Sequence, residues 1–187
     1  MNVNVMNDVA GIGMPLLDDR ASFDSEVLRS VQLLSAGFLA QRRAGLHQLA
    51  HHWGDMSDLA DIAGVVSAGF DPERHTPLVY PGATIVGAVL DGTREIQRGT
   101  TETGEVFRVV ESAAPVLFHP LQLYRMGFLD PAQIPDITVF ERQGQFDPIR
   151  ATAPVVGTEI VGAHVTLGIN EIMGALGPRA GPVFSEW

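Results

Sequence analysis

The sequence predicts a single α+β domain in which short helices and short strands alternate. Three observations predict this class. The chain has 187 residues, 45% of them hydrophobic and 18% charged, which suffices for one domain with a buried core. Segments with strand-like alternation and segments with helical spacing both occur, and no repeat or low-complexity tract interrupts them. Because residues 1–187 begin directly on a predicted strand, they are also compatible with an excerpt of a longer protein.

The first third of the chain predicts two strands and a helix. Val3–Val9 alternates between apolar and polar residues and predicts a strand that ends at a glycine-rich turn. Residues 14–26 are polar and acidic and predict a loop, and the run VLRSVQLLS (27–35) is typical of a buried strand. From 36 to 52 the apolar residues fall near one helix face, and Gly54 suits the helix end, although Gly45 allows the helix to begin there instead. Leu46, Leu49 and Ala50 are expected to be buried.

The rest of the chain predicts further strands and two short helices. The segment ATIVGAVLDG (83–92) predicts a strand or a glycine-rich apolar turn. The segment REIQRGTTETGEVFRVV (94–110) predicts a hairpin, because two β-rich runs flank a polar, glycine-containing connection. PLQLYRMGF (120–128) predicts a short helix or a tight turn. The remaining predicted elements are strands over 137–143 and 158–167 and a short helix over 168–177 that ends at Gly177-Pro178.

Composition argues against several functions. Twelve basic against twenty-two acidic side chains give a net charge of −10, and the densest basic spot is Arg42-Arg43. Nucleic acid and anionic membrane surfaces are therefore not expected partners, since both need a clustered positive face. The chain has no cysteine, so any metal must bind to His, Asp, Glu or water. The first residues lack the pattern of a signal peptide, and no apolar run is long enough for a membrane span.

Two histidines in AGLHQLAHHWG (44–54) carry the main functional signal. His47 and His51 are four residues apart, so on a helix they lie on one face about 6 Å apart and can converge on one cation. Zinc accepts such nitrogen ligands and needs a third protein ligand plus water for catalysis. Random placement of six histidines gives such a pair roughly one time in six, so a satisfied, non-ligating pair is the competing interpretation. His52 points away and is expected near the site or at the surface.

Several segments together resemble a family of bacterial, mostly secreted metallopeptidase domains of the zincin type. Those domains carry GLHELGHRW where this chain has AGLHQLAHHWG. Their segment YSPLDLYLMGLIPPEEVPP is similar to LFHPLQLYRMGFLDPAQIPDI (117–137), and a strand followed by IIAAxGPRxP is similar to VTLGINEIMGALGPRAGP (165–182). The likeness runs from about residue 3 to 182. It implies a zincin-like fold, with the metal-site helix packed on a small sheet, and zinc as the cofactor.

The resemblance also implies the rest of the site. His75 is the third ligand by position, in a loop where a histidine of no consequence is equally expected, and His119 is the reserve candidate. Tyr124 can donate a hydrogen bond to a tetrahedral oxyanion, although packing is the favoured role. Met126 is expected as an apolar floor beneath the metal helix. His164, on a predicted strand, is expected to be a buried or solvent-facing histidine without a ligand role.

The catalytic carboxylate of the H-E-x-x-H motif is missing. The family's Glu takes a proton from the attacking water and passes it to the leaving amine, but this chain has Gln48, whose amide accepts no proton near neutral pH. Two further departures are Gln122, where the family has an acid, and Arg125, where an aliphatic residue is usual. Since two acidic positions are lost, a Gln48→Glu variant is expected to stay inert.

Three explanations of Gln48 stay open: a natural pseudoenzyme, an engineered inactivation, or another residue as base. The acids that could serve as base are expected instead to cap helices or lie on solvated faces; they are Asp55, Asp58, Asp61 and Glu73. The leading interpretation is a zincin-like domain that binds zinc and cleaves peptide bonds weakly or not at all. The alternative is a metal-free structural or protein-binding module on the same fold. A peptide or protein ligand fits both, and the resemblance alone suggests an extracellular or cell-envelope location.

Overall fold

The computed structural model describes residues 2–32, 50–53, 56–66, 68, 78–81, 94–112, 118–142 and 155–180. Short helices and small sheets alternate in these ranges, which confirms the α+β class. None of the helices described there is long and apolar enough to cross a membrane. The helices are α1 (Asp58–Ala63), α2 (Pro120–Met126) and α3 (Ile169–Leu176). The strands are β1 (Asn2–Asn4), β2 (Met6–Asn7), β3 (Leu17–Asp18), β4 (Ser30–Gln32), β5 (Val79–Tyr80), β6 (Arg94–Thr101), β7 (Gly104–Glu111), β8 (Ile137–Phe140), β9 (Glu159–Ile160) and β10 (His164–Leu167).

The strands pair antiparallel in small sheets. β1 pairs with β4 and β2 pairs with β3, while two three-stranded sheets have the orders β10-β8-β5 and β6-β7-β9. The predicted strand Val3–Val9 is therefore divided, because Val5 separates two short strands that pair with different partners. Ser30–Gln32 confirms a strand within 27–35, but Val27 is 86% exposed, so the expectation of burial is wrong there.

The predictions of a loop over 14–26 and of one strand over 158–167 need correction. Residues 14–26 are not all loop, since they contain β3 and the 3-10 turn Arg20–Phe23. The predicted strand 158–167 is two strands in different sheets: β9 pairs with β7, and β10 pairs with β8. Gly162 lies between them with φ at +132°, a conformation that L residues rarely adopt and that redirects the chain.

The predicted hairpin and the two predicted short helices are confirmed. β6 and β7 pair along their whole length, from Arg94↔Glu111 to Thr101↔Gly104. Of the two alternatives for 120–128 the structure has the helix, α2, which has Pro at its first position and Gly127 in the left-handed conformation at its end. The predictions for residues 36–49 and 83–92 lie outside the described residues.

The main core lies between the three helices and the β10-β8-β5 sheet. Its buried members come from α1, α2, α3 and all three strands, so this layer fixes how α2 sits against the rest of the domain. A second buried cluster joins the β6–β7 hairpin to β8 through Phe107 and Phe140, whose ring centroids are 4.9 Å apart. The residues of the main cluster are Met56, Leu59, Val79, Leu121, Tyr124, Ile134, Ile137, Val139, Leu167 and Ile172.

Candidate metal centre

The described part of the candidate metal helix is its C-terminal end. Ala50 is helical and fully buried, and the 3-10 turn His51–Trp53 follows it. This confirms the helical conformation and the predicted burial of Ala50, but the prediction of a helix through residue 52 is wrong, because His51–Trp53 form a 3-10 turn. Of the candidate zinc ligands, His51 is half-buried in the turn, whereas His47 and His75 lie outside the described residues, as does Gln48.

α2 packs against the end of this helix. Met126 is 3% exposed and forms an apolar cluster with Ala50, and Trp53 and Phe118 pack around the two. The expectation that Met126 is buried against the metal helix is therefore confirmed for the described end of that helix. Rigid apolar backing of this kind is what a metal-binding helix needs, because its ligands must be held in place.

His52 connects the same turn to the N-terminal strand β1. It is buried, its Nδ1 lies 3.0 Å from Asn4 Oδ1, and its ring meets Trp53 edge-on at 4.9 Å. Because an amide oxygen only accepts, Nδ1 carries the proton and donates. Burial, and to a smaller extent the charge of Arg29, lower the pKa of His52, so the ring is neutral at pH 7. His52 holds the turn in place and does not lie at the surface.

His119 is the N-cap of α2 and is 1% exposed. Its Nδ1 accepts a hydrogen bond from the backbone N–H of Leu121 at 3.1 Å, and its Nε2 donates to the carbonyl oxygen of Pro81 at 2.8 Å. Burial lowers the pKa of His119 to about 4, against the smaller raising effect of the Pro81 carbonyl. Both ring nitrogens are therefore engaged by the backbone. A metal ligand needs a free nitrogen lone pair, so His119 does not fit the reserve role that the sequence suggested.

Gln122 has a structural role at the same helix start. Its side chain is fully buried, and its Oε1 accepts a hydrogen bond from the backbone N–H of His119 at 3.0 Å. His119 and Gln122 together form a capping box, which satisfies two N–H groups that a helix start leaves open. A carboxylate at this position could accept the same hydrogen bond, so the side chain at 122 is placed to cap the helix whether it is an amide or an acid.

Tyr124 is 5% exposed and joins α2 to the C-terminal segment. Its hydroxyl oxygen accepts a hydrogen bond from the backbone N–H of Arg179 at 3.1 Å, and Arg179 Nε donates to the carbonyl oxygen of Arg125 at 2.9 Å. These contacts agree with the packing role that the sequence favours for Tyr124. They also bring Arg179, in the described part of the third family-like segment, onto the second one.

Arg125 and Asp58 form an ion pair that the sequence did not predict. Arg125 Nη2 lies 2.7 and 2.9 Å from the two carboxylate oxygens of Asp58 in α1, and the two side chains are 1% and 19% exposed. The expectation that Asp58 is a capping or solvated acid is wrong, because this carboxylate is committed to a buried cation. Gly13 lies against the pair: a Cβ at this position, where φ is +77°, would lie 2.4 Å from Asp58 Oδ2.

The part of the chain that the structure describes contains no group of three His, Asp or Glu side chains able to hold a metal ion. His164 is exposed and lies edge-on to Phe107 at 5.3 Å, as a strand histidine with a packing role would. An open cleft of about 1010 Å³ lies elsewhere, and one of the three acids that line it, Asp18, is paired with Arg20 at 2.6 Å. The cleft is lined by Asp18, Arg20, Ala21, Asp24, Ser25 and Glu26, none of them a candidate ligand.

No protein-family model matches the chain, and neither a curated protein nor a solved structure matches it. The likeness to zincin-type domains therefore depends on the sequence motifs alone.

Proposed function

We propose that the chain is a zincin-like metallopeptidase-type domain with a degenerate active site. It binds zinc through His47, His51 and His75 and cleaves peptide bonds weakly or not at all. The observation that carries the proposal is the packing of Ala50, at the end of the candidate metal helix, against Met126 of α2. The resemblance of the sequence segments to the family predicts this contact, with Met126 as the apolar floor of the metal helix.

Contacts of the third family-like segment give further support. Arg179 bonds to Tyr124 and to the Arg125 carbonyl, so the segments around residues 50, 124 and 179 form one contiguous unit. The N-terminal segment joins the same unit, since Ala10 pairs with Ala180 in an isolated bridge. Segments that are far apart in sequence but carry the resemblance are therefore neighbours in space.

The chemistry that zinc supplies when bound is polarisation of a substrate carbonyl. The chain itself would contribute imidazole nitrogens from His47 and His51 on one helix face, with the apolar floor of Met126 holding that helix in place. Gln48 can orient a water molecule by hydrogen bonding but cannot take its proton. General acid–base catalysis raises the rate about 10²–10⁴-fold, so its loss predicts weak or absent hydrolysis.

The Gln48→Glu variant tests the catalytic part of the proposal. Because Gln122 caps α2, Gln48 is the remaining position at which a catalytic acid is missing. We therefore expect no cleavage of a generic unfolded protein by the unmodified chain, and we expect Gln48→Glu to gain slow cleavage that a chelator abolishes. The sequence alone predicted that Gln48→Glu stays inert, because it counted Gln122 as a second missing catalytic acid.

The matched control is Gln122→Glu, which also adds one carboxylate but at the buried cap, and which should gain no cleavage. His47→Ala in the Gln48→Glu background should remove any gained activity. Chelator-sensitive cleavage by the unmodified chain would contradict the proposal and would mean that another residue is the base.

The second candidate function is a metal-free structural or protein-binding module, for which a peptide or protein is the expected ligand. One observation favours it: the two buried histidines beside α2 and the end of the candidate metal helix, His119 and His52, are engaged in hydrogen bonds that hold the fold together, as expected of a structural module. Zinc content separates the two functions. An extracellular or cell-envelope location remains a proposal that comes from the resemblance alone.

A further inference from the structure

His119 joins two parts of the chain through one side chain. Its Nδ1 accepts from the Leu121 N–H on its own helix, and its Nε2 donates to the Pro81 carbonyl, which follows β5. Only the neutral ring with its proton on Nε2 can make both bonds, because Nδ1 must offer a lone pair. A second proton, on Nδ1, would place a donor against the Leu121 donor and would remove the cap.

The surroundings of His119 do not accommodate an imidazolium ion. The ring is buried, and among the described residues the charged group that acts on it is Arg125, whose positive charge opposes protonation and which is itself paired with Asp58 of α1. Across the contact, the Pro81 segment presents a carbonyl oxygen, which is already used by Nε2. A buried charge without compensation is costly, so protonation favours states in which the ring reaches water.

The segment on the far side of this contact is bonded at its start, where Leu78 donates a backbone hydrogen bond to Ala68 and accepts one from Phe140. β5 has two residues and lies at the edge of the β10-β8-β5 sheet, where Val79 pairs with Val139 and Tyr80 pairs with Thr138. The bond from His119 to Pro81 anchors the chain where this short strand ends. Loss of the bond is therefore expected to free this edge before the rest of the sheet opens.

We propose that His119 is an acid-sensitive latch, which holds the Pro81 segment against the start of α2 and releases it when the ring takes up a second proton. The direction of the pH dependence follows from the difference between the pKa of the ring in the open state and in the closed state. In the open state the ring has its ordinary pKa of 6.5, and in the closed state the pKa is lowered to about 4. The latch is fully effective above pH 6.5, weakens by up to about tenfold per pH unit as the pH falls towards 4, and weakens no further below that.

Amide hydrogen exchange of the unmodified chain and of His119→Asn, followed from pH 7.5 to 4.5, tests the latch. In the unmodified chain the protection of the Leu121 amide should fall by up to about tenfold per pH unit below pH 6.5. The Val109 amide, bonded to Thr158 in the hairpin sheet, should keep its protection over the same range. Asparagine caps helices well but does not titrate, so His119→Asn should lose this pH dependence. The control His164→Asn, at an exposed histidine, should retain it.

The proposal is overturned if His119→Asn keeps the pH dependence of the unmodified chain, or if Leu121 and Val109 lose protection together, which would indicate global unfolding. Should His119→Asn not fold, a histidine NMR titration of the unmodified chain decides the question. The latch requires a neutral His119 ring with its proton on Nε2 at pH 7, and it requires protonation of that ring and exposure of the Leu121 amide to share one midpoint. A ring that titrates while the Leu121 amide stays protected would contradict it.

Discussion

The interior beside α2 and the surface of the β6–β7–β9 sheet both contain an arginine–carboxylate pair, but in different environments. Arg125 and Asp58 are 1% and 19% exposed, whereas Arg108 and Glu159, 2.5 Å apart on β7 and β9, are 51% and 49% exposed. Water screens the surface pair and can replace either partner. In the interior pair, neither partner can be replaced in this way without leaving a charge uncompensated.

The comparison shows which polar residues organise the candidate site. Polar groups beside α2 are buried and engaged: Gln122 caps the helix, Tyr124 holds the C-terminal segment, and Arg125 holds α1. On the hairpin, polar groups from Gln97 to Glu105 face solvent, and the fold depends there on backbone pairing. Changes beside α2 should therefore lower the free energy of unfolding more than changes on the hairpin surface do.

The largest effect is expected for Asp58→Ala, which leaves the Arg125 guanidinium buried and unpaired. We expect the free energy of unfolding to fall by about 3–5 kcal/mol, measured by urea denaturation. The matched control is the double variant Asp58→Ala/Arg125→Met, which removes both charges and should recover much of the loss. A single variant as stable as the unmodified chain would mean that the pair is not buried in solution.

Met126→Ala should have the next largest effect, since it leaves a cavity against Ala50 and Trp53. Truncation of a buried methionine costs about 2–5 kcal/mol, and urea denaturation measures this loss. Met126→Leu keeps the volume and should cost less than about 1.5 kcal/mol. A loss below about 0.5 kcal/mol for Met126→Ala would place this side chain at the surface and would remove the packing on which the proposed function depends.

The smallest effect is expected for Arg108→Ala on the hairpin surface. Its pair with Glu159 is half-exposed, so the change in unfolding free energy should stay within about 0.5 kcal/mol and should shrink further in 1 M salt. The comparison between the two regions would fail if this variant lost as much stability as Asp58→Ala.

The sequence predicted the parts of the fold that local pattern determines. The hairpin follows from alternation around a polar turn, and α2 follows from Pro120 at its start and Gly127 at its end. The division of 158–167 into two strands did not follow, because β9 and β10 depend on pairing with β7 and β8, which are distant in sequence. Alternation along a segment does not specify which sheet receives each half.

For the candidate site, the sequence predicted the burial of Met126 and of the helical Ala50, but it placed the helix end near Gly54 and missed the Arg125–Asp58 pair. These two residues are 67 positions apart, and no spacing rule joins them. The available signal was an arginine between Tyr124 and Met126 in a mostly apolar helix, because a buried arginine needs a carboxylate partner. His119 was misjudged for a similar reason, since its ring is occupied by the Pro81 carbonyl, 38 positions away.

The most direct test of the account is the zinc content of the purified chain, measured by elemental analysis after dialysis without chelator. The account predicts about one zinc per chain, because His47, His51 and His75 supply the three nitrogen ligands that a zinc site with an open position requires. The double variant His47→Ala/His51→Ala should lose the zinc, while His164→Asn should keep it. A folded chain without zinc would contradict the proposed metal site and favour the metal-free module, and zinc retained by the double variant would show that the ligands lie elsewhere.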